Sequence, residues 1–256
     1  MLLKGVVVEY KGNPEARVQE VKVLEEGEFE EFSAVPALPP ERIEELFNSL
    51  VNLVYNNLAQ GEGSEFARRI ATSFLGDWAF VAQFKRAPAA RAYHHALVGG
   101  LLEHTYNVTR LALAAAQLYN ESYSPKVSIP LVVVGAALHD VGKVKEYRVS
   151  RRDIRKTPEG ELLGHIVLGL QMVQERAKAL GLDQDPHLPA LLHVIASHHG
   201  SEELGSPVSP RFPEAFIVHF ADDLDAKLAH IARQEELPVY SHMLRRTIFP
   251  TFGWEE

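Results

Sequence analysis

The chain has 256 residues, of which 46% are hydrophobic and 23% are charged, and its formal net charge is -8. These values suit one large globular domain with at most a small appendage, and they exclude a general nucleic-acid binder that relies on net positive charge. Because there is no Cys, disulfides, thiolate metal sites and Cys nucleophiles are excluded. No apolar run reaches membrane-spanning length and the N-terminus lacks the order of a signal peptide, so we expect a cytoplasmic protein without a membrane partner.

Residues 1–35 predict a short β segment. Residues 5–10 are rich in Val, and residues 16–24 alternate polar and apolar side chains as a half-buried strand does. Two strands alone are marginally stable in water, so we expect them to pack on the rest of the chain or on a partner chain. A stiff, Pro-rich linker that begins at Val35 follows the two strands.

Residues 36–256 predict a second domain, which is helical. From Pro40 onward apolar residues recur at the spacing of an α-helix, and Gly, Pro and Ser residues separate the helices. The predicted helices cover about residues 40–58, 64–75, 92–119, 129–140, 163–180, 187–198, 212–232 and 239–248. The predicted fold class is therefore mainly α, with a short N-terminal β segment.

An ordered set of His and Asp residues lies in or at the ends of these apolar helices. Imidazole and carboxylate groups are the ligands of borderline divalent metals. The set holds more ligands than one tetrahedral ion needs, so it predicts a two-metal site, which can activate a water molecule and hold a phosphoryl group. Its members are His104, His139, Asp140, His165, His198, His199 and Asp222.

A single His on an apolar helix is usually a core residue with a backbone hydrogen bond, so the set needs support from its context. Asp140 gives such support, because a carboxylate at the negative C-terminal end of an apolar helix is unfavourable without a cation. Lys143 follows at once, where it could contact a substrate phosphate. Asp222 also interrupts an apolar run, whereas Asp223 and Asp225 are expected to face solvent as caps or to lie behind the ligands.

The order of these residues on successive helices resembles that of the HD phosphohydrolase superfamily. The surrounding stretches resemble one branch of that superfamily, the YhaM-type 3'-5' exoribonucleases, over roughly residues 36–250. The stretch His139-Asp140-Val141-Gly142-Lys143 carries the superfamily pattern. The stretches that carry the closer resemblance are residues 87–90, 94–96, 99–105, 135–143, 157–166, 197–200, 205–208 and 214–227.

The resemblance implies an all-helical HD domain in which the seven His and Asp residues occupy metal positions and Lys143 a phosphate-contacting one. It also implies an OB-fold that binds RNA ahead of this domain, but an OB-fold needs about five strands and residues 1–32 offer about two. The β segment is thus expected to be a partial OB-fold. Three explanations stay open: loss of RNA-binding surface, a shortened N-terminus, or a sheet completed by another subunit in a homo-oligomer.

The resulting mechanistic hypothesis assigns the ligands to two ions that share Asp140. The first ion would use His104, His139, Asp140 and Asp222, and the second would use His165, His198 and His199. A metal-activated hydroxide would attack phosphorus, with Asp140 and Lys143 as catalytic residues. Because the ligands are nitrogen and oxygen without thiolate, we expect Mn first, Fe second, and Ni or Co as substitutes in vitro.

Other polar residues are weaker candidates for contacts with substrate. The resemblance places His94 and His95 near a substrate channel, although a role at a helix start or in the core is equally open. The basic run that contains Arg151, Arg152 and Arg155 could guide a phosphate backbone, although such runs are usually solvated loops.

The sequence leaves three functions open. The first is a metal-dependent 3'-5' exoribonuclease that releases nucleoside 5'-monophosphates from single-stranded RNA, or from single-stranded DNA. The second is an HD phosphohydrolase that acts on small nucleotides, cyclic nucleotides or very short oligonucleotides. The third is a non-catalytic scaffold, which an intact set of buried His and Asp residues disfavours, because such groups are costly to bury.

Overall fold

The computed structural model describes residues 2–10, 13–22, 35–91, 95–150, 152–234 and 237–252. The chain divides into two compact units, residues 1–34 and residues 35–256. Each unit is described by itself below.

The N-terminal unit contains an antiparallel pair of strands. Strand β1 spans Leu2–Tyr10 and strand β2 spans Asn13–Lys22, and the register shifts between Lys4 and Gly5. Both predicted strands are present, with the first beginning three residues earlier than predicted and residues 23 and 24 lying outside the described residues. That this pair is part of an OB-fold stays a prediction.

The second unit is mainly helical, which confirms the predicted fold class. Its helices are α1 (Pro40–Asn57), α2 (Ser64–Leu75), α3 (Trp78–Phe84), α4 (Gly100–Ser122), α5 (Ile129–Leu138), α6 (Lys143–Glu146), α7 (Pro158–Ala179), α8 (Leu188–Ser197) and α9 (Pro213–Ala232). A single 3-10 turn covers Glu202–Leu204. Within the described residues, no helix is both long enough and apolar enough to cross a membrane.

Helix α5 runs through the middle of the helical unit. Its sequence is apolar on every side, and residues 132–138 are all buried. A helix without a polar face has to be surrounded by others, and α5 packs against α1, α2, α4, α8 and α9. Ser128 caps its N-terminus by accepting a hydrogen bond from the Leu131 amide. Because α5 ends at Leu138, the chain delivers His139 and Asp140 to the interior.

Two short antiparallel hairpins interrupt the helical pattern. Strands β3 (Tyr147–Val149) and β4 (Ile154–Lys156) pair in a segment that the sequence suggested was a solvated loop. The predicted helix at residues 239–248 is wrong, because strands β5 (Val239–Ser241) and β6 (Arg246–Ile248) pair there. The β-branched and aromatic residues of this segment favour a pleated strand over a helix.

The predicted helix at residues 92–119 begins later than expected, at Gly100. The preceding residue, Gly99, has a φ of 87°, a left-handed conformation that L-residues rarely adopt and that ends the irregular segment before α4. The helix then continues to Ser122, three residues past its predicted end.

The turn after α5 packs directly onto α7 at Gly142. A Cβ atom added at Gly142 would lie 1.9 Å from the carbonyl oxygen of His165 and 2.5 Å from the amide nitrogen of Gly169. Gly142 itself has ordinary right-handed backbone angles, so it is required for this close approach rather than for the sharp turn that its sequence position suggested. The contact fixes the distance between Asp140 and His165.

We expect Gly142→Ala to push α7 away from the end of α5, because neither clashing atom belongs to a flexible side chain. The variant should lose at least about 2 kcal/mol of unfolding free energy, as overpacked sites do. Gly169→Ala is the matched control, since its Cβ would meet no atom closer than 3.4 Å. Urea unfolding measures both, and equal midpoints for the two variants would contradict the close-approach argument.

Candidate metal centre

The seven predicted ligands lie together, and each comes from a helix or from the residues that follow one. His104 lies in α4, His165 in α7 and Asp222 in α9. The pair His139-Asp140 follows α5, and the pair His198-His199 follows α8. Gly164, with φ 71° and ψ 162°, breaks α7 just before His165, so His165 lies at the start of a new helical run.

One group of donors faces the Oδ2 atom of Asp140. The Nε2 atoms of His104 and His139 each lie 3.4 Å from this oxygen. They lie 3.0 and 3.8 Å from Oδ1 of Asp222, and 3.3 Å from each other. This is the group that the sequence predicted for a first metal ion.

A second group faces the other oxygen of the same carboxylate. The Nε2 atoms of His165 and His198 lie 3.4 and 3.5 Å from Oδ1 of Asp140. His199 completes this group, since a donor nitrogen from each of the three His residues lies within 4.8 Å of the others. Asp140 therefore stands between both groups, with one oxygen directed at each.

The outer nitrogens of these His residues already have partners, which leaves the inner nitrogens as acceptors. The Nδ1 atoms of His139, His198 and His199 lie 2.7–3.0 Å from the backbone carbonyls of Ala136, Ile195 and Leu204. A carbonyl only accepts hydrogen bonds, so each Nδ1 carries the proton and each Nε2 presents a lone pair. Lone pairs and carboxylate oxygens that converge in this way repel one another unless a cation lies between them.

Buried atoms without a hydrogen-bonding partner support the fit of a metal ion. Within the described residues these atoms include Oδ1 of Asp140 and the Nε2 atoms of His165 and His198. Buried polar atoms are rarely left unpaired, and these three face one another. The donor set of imidazoles and carboxylates suits Mn, Fe, Co, Ni or Zn.

Burial keeps the second group of imidazoles neutral. It lowers the pKa values of His165 and His198 below the ordinary value, and it lowers the pKa of His199 to about 4. Burial alone would raise the pKa of Asp140, but the charges of Lys143 and His139 hold that pKa well below its usual range. Neutral imidazoles and an ionised carboxylate are the protonation states that bind a metal ion.

The first group lies in a strongly negative field. Burial alone would lower the pKa of His104, but the carboxylates of Asp140, Asp222 and Asp225 raise it well above its ordinary value. A field that favours a proton on His104 also favours a divalent cation in its place.

Residues 101–227 match the model of the HD domain family. This part of the chain is an HD domain. The match supports membership of the HD superfamily of metal-dependent phosphohydrolases, and it spans the seven predicted ligands. No solved structure matched the chain.

Lys143 of the HD domain contacts Asp140 directly. Its ammonium group lies 2.5 Å from Oδ2 of Asp140, and its side chain is mostly buried. Lys143 therefore borders the metal centre, and its contact with a substrate phosphate stays a prediction.

The structure places the remaining candidates in different surroundings. His95 is buried, and both ring nitrogens bind carboxylates, so it lies behind His104 rather than on a surface that substrate could reach. Arg152 and Arg155 are exposed in the β3–β4 hairpin, where Arg155 pairs with Asp153 at 2.5 Å. His94 and Arg151 lie outside the described residues.

Three acidic residues of the HD domain support the ligands and were missed as site residues. Glu146 lies 3.2 Å from Nδ1 of His165, and Asp225 lies 2.7 Å from Nδ1 of His104. Glu103 binds His95 at 2.9 Å. The spacing could have indicated two of them, because Glu146 follows Lys143 by three residues and Asp225 follows Asp222 by three, and residues three apart share a helix face.

We expect Asp140→Asn to lower metal binding at both groups, because each oxygen of Asp140 faces one of them. Wild-type protein should retain about two equivalents of Mn²⁺ after dialysis, and the variant fewer than one, since one ligand serves both ions. His199→Gln should lose only one equivalent, because His199 belongs to the second group alone. Elemental analysis gives the metal content, and full retention by Asp140→Asn would contradict the shared position.

Proposed function

We propose that this protein is a metal-dependent phosphodiesterase, most specifically a 3'-5' exoribonuclease that releases nucleoside 5'-monophosphates from single-stranded RNA. The HD domain supports the phosphohydrolase chemistry. The observation that carries the substrate class is a basic groove that borders the metal centre. We expect Mn²⁺ to be the preferred ion and Fe²⁺ the second choice, for the ligand set described above.

The groove consists of two adjoining clefts along the β3–β4 hairpin. One has a volume of about 680 Å³ and the other of about 400 Å³, and Arg148 and Thr157 line both. Their basic side chains are Arg86, Lys145, Arg148, Arg152, Arg155 and Lys156. Two acidic residues, Asp153 and Glu159, also line the clefts.

The groove borders the metal centre through the chain itself. Val144 and Lys145 of its wall follow Lys143 directly, and Leu163 precedes His165 by two residues. Tyr147, also in the wall, is close enough to the centre that the negative charge of Asp140 adds to burial in raising its pKa. A strand held in the groove would thus lie beside the predicted ligands.

The charge of the groove contrasts with that of the whole chain. The chain carries a formal net charge of -8, yet this stretch presents six basic side chains against two acidic ones. A local positive stretch in an acidic protein attracts a polyanion to one place rather than to the entire surface. A single-stranded phosphate backbone fits that requirement, because sites for single strands combine a basic groove with exposed bases.

The roles of the chain's own residues in hydrolysis follow from their positions. Bound metal ions would supply a water molecule of lowered pKa and neutralise charge on the phosphoryl group. Asp140 would hold the two ions at a fixed separation, with one oxygen directed at each group. Lys143 would share its ammonium between Asp140 and a non-bridging phosphate oxygen, where negative charge grows in the transition state.

A second candidate function is hydrolysis of small nucleotides or very short oligonucleotides. The observation that favours it is the size of the larger cleft, since about 680 Å³ is typical of a site for a small molecule. The two candidates share the metal centre and differ in how much of the groove the substrate occupies.

We expect the Mn²⁺-loaded protein to shorten a 5'-labelled single-stranded RNA stepwise from its 3' end and to release 5'-monophosphates. Asp140→Asn should lower the rate by at least about 100-fold, as loss of a metal-holding ligand does. Gel analysis of the ladder, beside bis-p-nitrophenyl phosphate and single-stranded DNA, measures this. Hydrolysis of the small ester with an untouched ladder would move the assignment to the second candidate.

We expect the double variant Arg148→Gln, Arg152→Gln to bind oligonucleotides less tightly, because each lost phosphate contact lowers the salt dependence of binding to a single strand by about 0.7 log units per log unit of salt. KM for RNA should rise, while hydrolysis of bis-p-nitrophenyl phosphate should stay unchanged. Arg68→Gln is the matched control, since Arg68 is exposed in α2 and pairs with Glu65. Equal salt slopes for wild type and the double variant would exclude the groove as the RNA path.

A further inference from the structure

His95 lies in a conformation that its surroundings have to hold. Its φ is 48°, in the left-handed region that residues other than Gly rarely adopt, and only 2% of its surface is exposed. Its backbone carbonyl accepts hydrogen bonds from the amides of Ala89 and Leu97. Strained backbone that persists in a fold is frequently part of a functional site.

The side chain of His95 lies between two carboxylates. One ring nitrogen, Nδ1, lies 2.9 Å from Glu103, and the other, Nε2, lies 3.0 Å from Oδ2 of Asp225. The same Oδ2 atom lies 2.7 Å from Nδ1 of His104. A chain of hydrogen bonds therefore leads from Glu103 through His95 and Asp225 to a predicted metal ligand.

This arrangement differs from that of the other ligands. The outer nitrogens of His139, His198 and His199 bind neutral backbone carbonyls, as described above. The outer nitrogen of His104 binds a carboxylate, and a carboxylate behind a metal-binding imidazole fixes its ring and raises its basicity. His95 in turn holds Asp225 in place, because the shared Oδ2 atom contacts both rings.

We propose that Glu103, His95 and Asp225 are positioning residues that set the affinity of the first metal position, the one formed by His104, His139 and Asp222. The proposal rests on the metal centre of the proposed function. It assigns no contact with substrate to these three residues. It predicts unequal metal affinities, in which the first position depends on this chain of hydrogen bonds and the second does not.

The test is equilibrium titration of the full chain with Mn²⁺, followed by electron paramagnetic resonance of the free ion. Asp225→Asn should weaken binding at the first position by about 10–100-fold, the usual cost of losing such a partner, and leave the second position unchanged. The two positions are told apart in a His199→Gln background, which removes a donor from the second group only. Asp223→Asn is the matched control, because Asp223 lies on the same helix and pairs with Lys227 at 2.5 Å.

Two further variants keep the proposal testable if Asp225→Asn does not fold. His95→Asn suits the left-handed backbone, which Asn tolerates, but its side chain is too short to join both carboxylates. Glu103→Gln changes the end of the chain farthest from the metal position. Both should weaken the first position in the same direction as Asp225→Asn and to a smaller extent.

A spectroscopic measurement separates positioning from packing. The Nδ1 proton of His104 should give a strongly downfield nuclear magnetic resonance signal in EDTA, because its acceptor is a buried carboxylate. His95→Asn should shift this signal although His95 and His104 share only Asp225 as a hydrogen-bonding partner in the contacts described above. An unchanged signal would overturn the proposal.

The other outcomes are decisive as well. Unchanged Mn²⁺ affinities with lowered stability would show a packing role and overturn the proposal. Three bound equivalents in wild type, with only one lost in Asp225→Asn and the remaining two unchanged, would overturn it in favour of a third ion among His95, His104 and Asp225. Weakened binding at the first position in a protein that hydrolyses no RNA would support the proposal while the proposed function fails.

Discussion

The helical unit depends on one buried carboxylate whose two oxygens serve different partners. Asp140 is almost entirely buried, and its ionised form requires positive charge on both sides. Lys143 supplies part of that charge at one oxygen, while the other oxygen has no hydrogen-bonding partner among the described residues and faces His165 and His198. A metal ion at each oxygen satisfies the carboxylate and the surrounding imidazole lone pairs at once.

The rest of the fold holds that carboxylate in place. Helix α5 is apolar on all sides, so its burial forces the polar residues that follow it into the interior. Gly142 then brings α7 within van der Waals contact, which sets the position of His165 relative to Asp140. Backbone carbonyls at the ends of α5 and α8 orient the imidazoles of His139 and His198, so secondary structure and ligand geometry are one system.

The electrostatics divide the site into an inner and an outer part. The inner part is negative and attracts cations, as the raised pKa of His104 shows. The outer part, along the β3–β4 hairpin, is basic and suits an anionic substrate. Lys156 joins the two, because it binds Glu146 at 2.9 Å and Glu146 faces His165. In the proposed function, phosphate would approach along the basic part and react at the negative part once metal ions reverse its charge.

The sequence by itself determined the helical class and the ligand set, because apolar periodicity and a carboxylate after an apolar run are local signals. Asp140 and Asp222 could be chosen on those grounds alone. Only the tertiary structure decided the division into two groups, since that depends on which oxygen of Asp140 each helix approaches. It also decided the supporting residues and the hairpins. Asp225 is indistinguishable from a solvent-facing cap until α4 packs against α9, and residues 239–248 form strands because each strand pairs with the other.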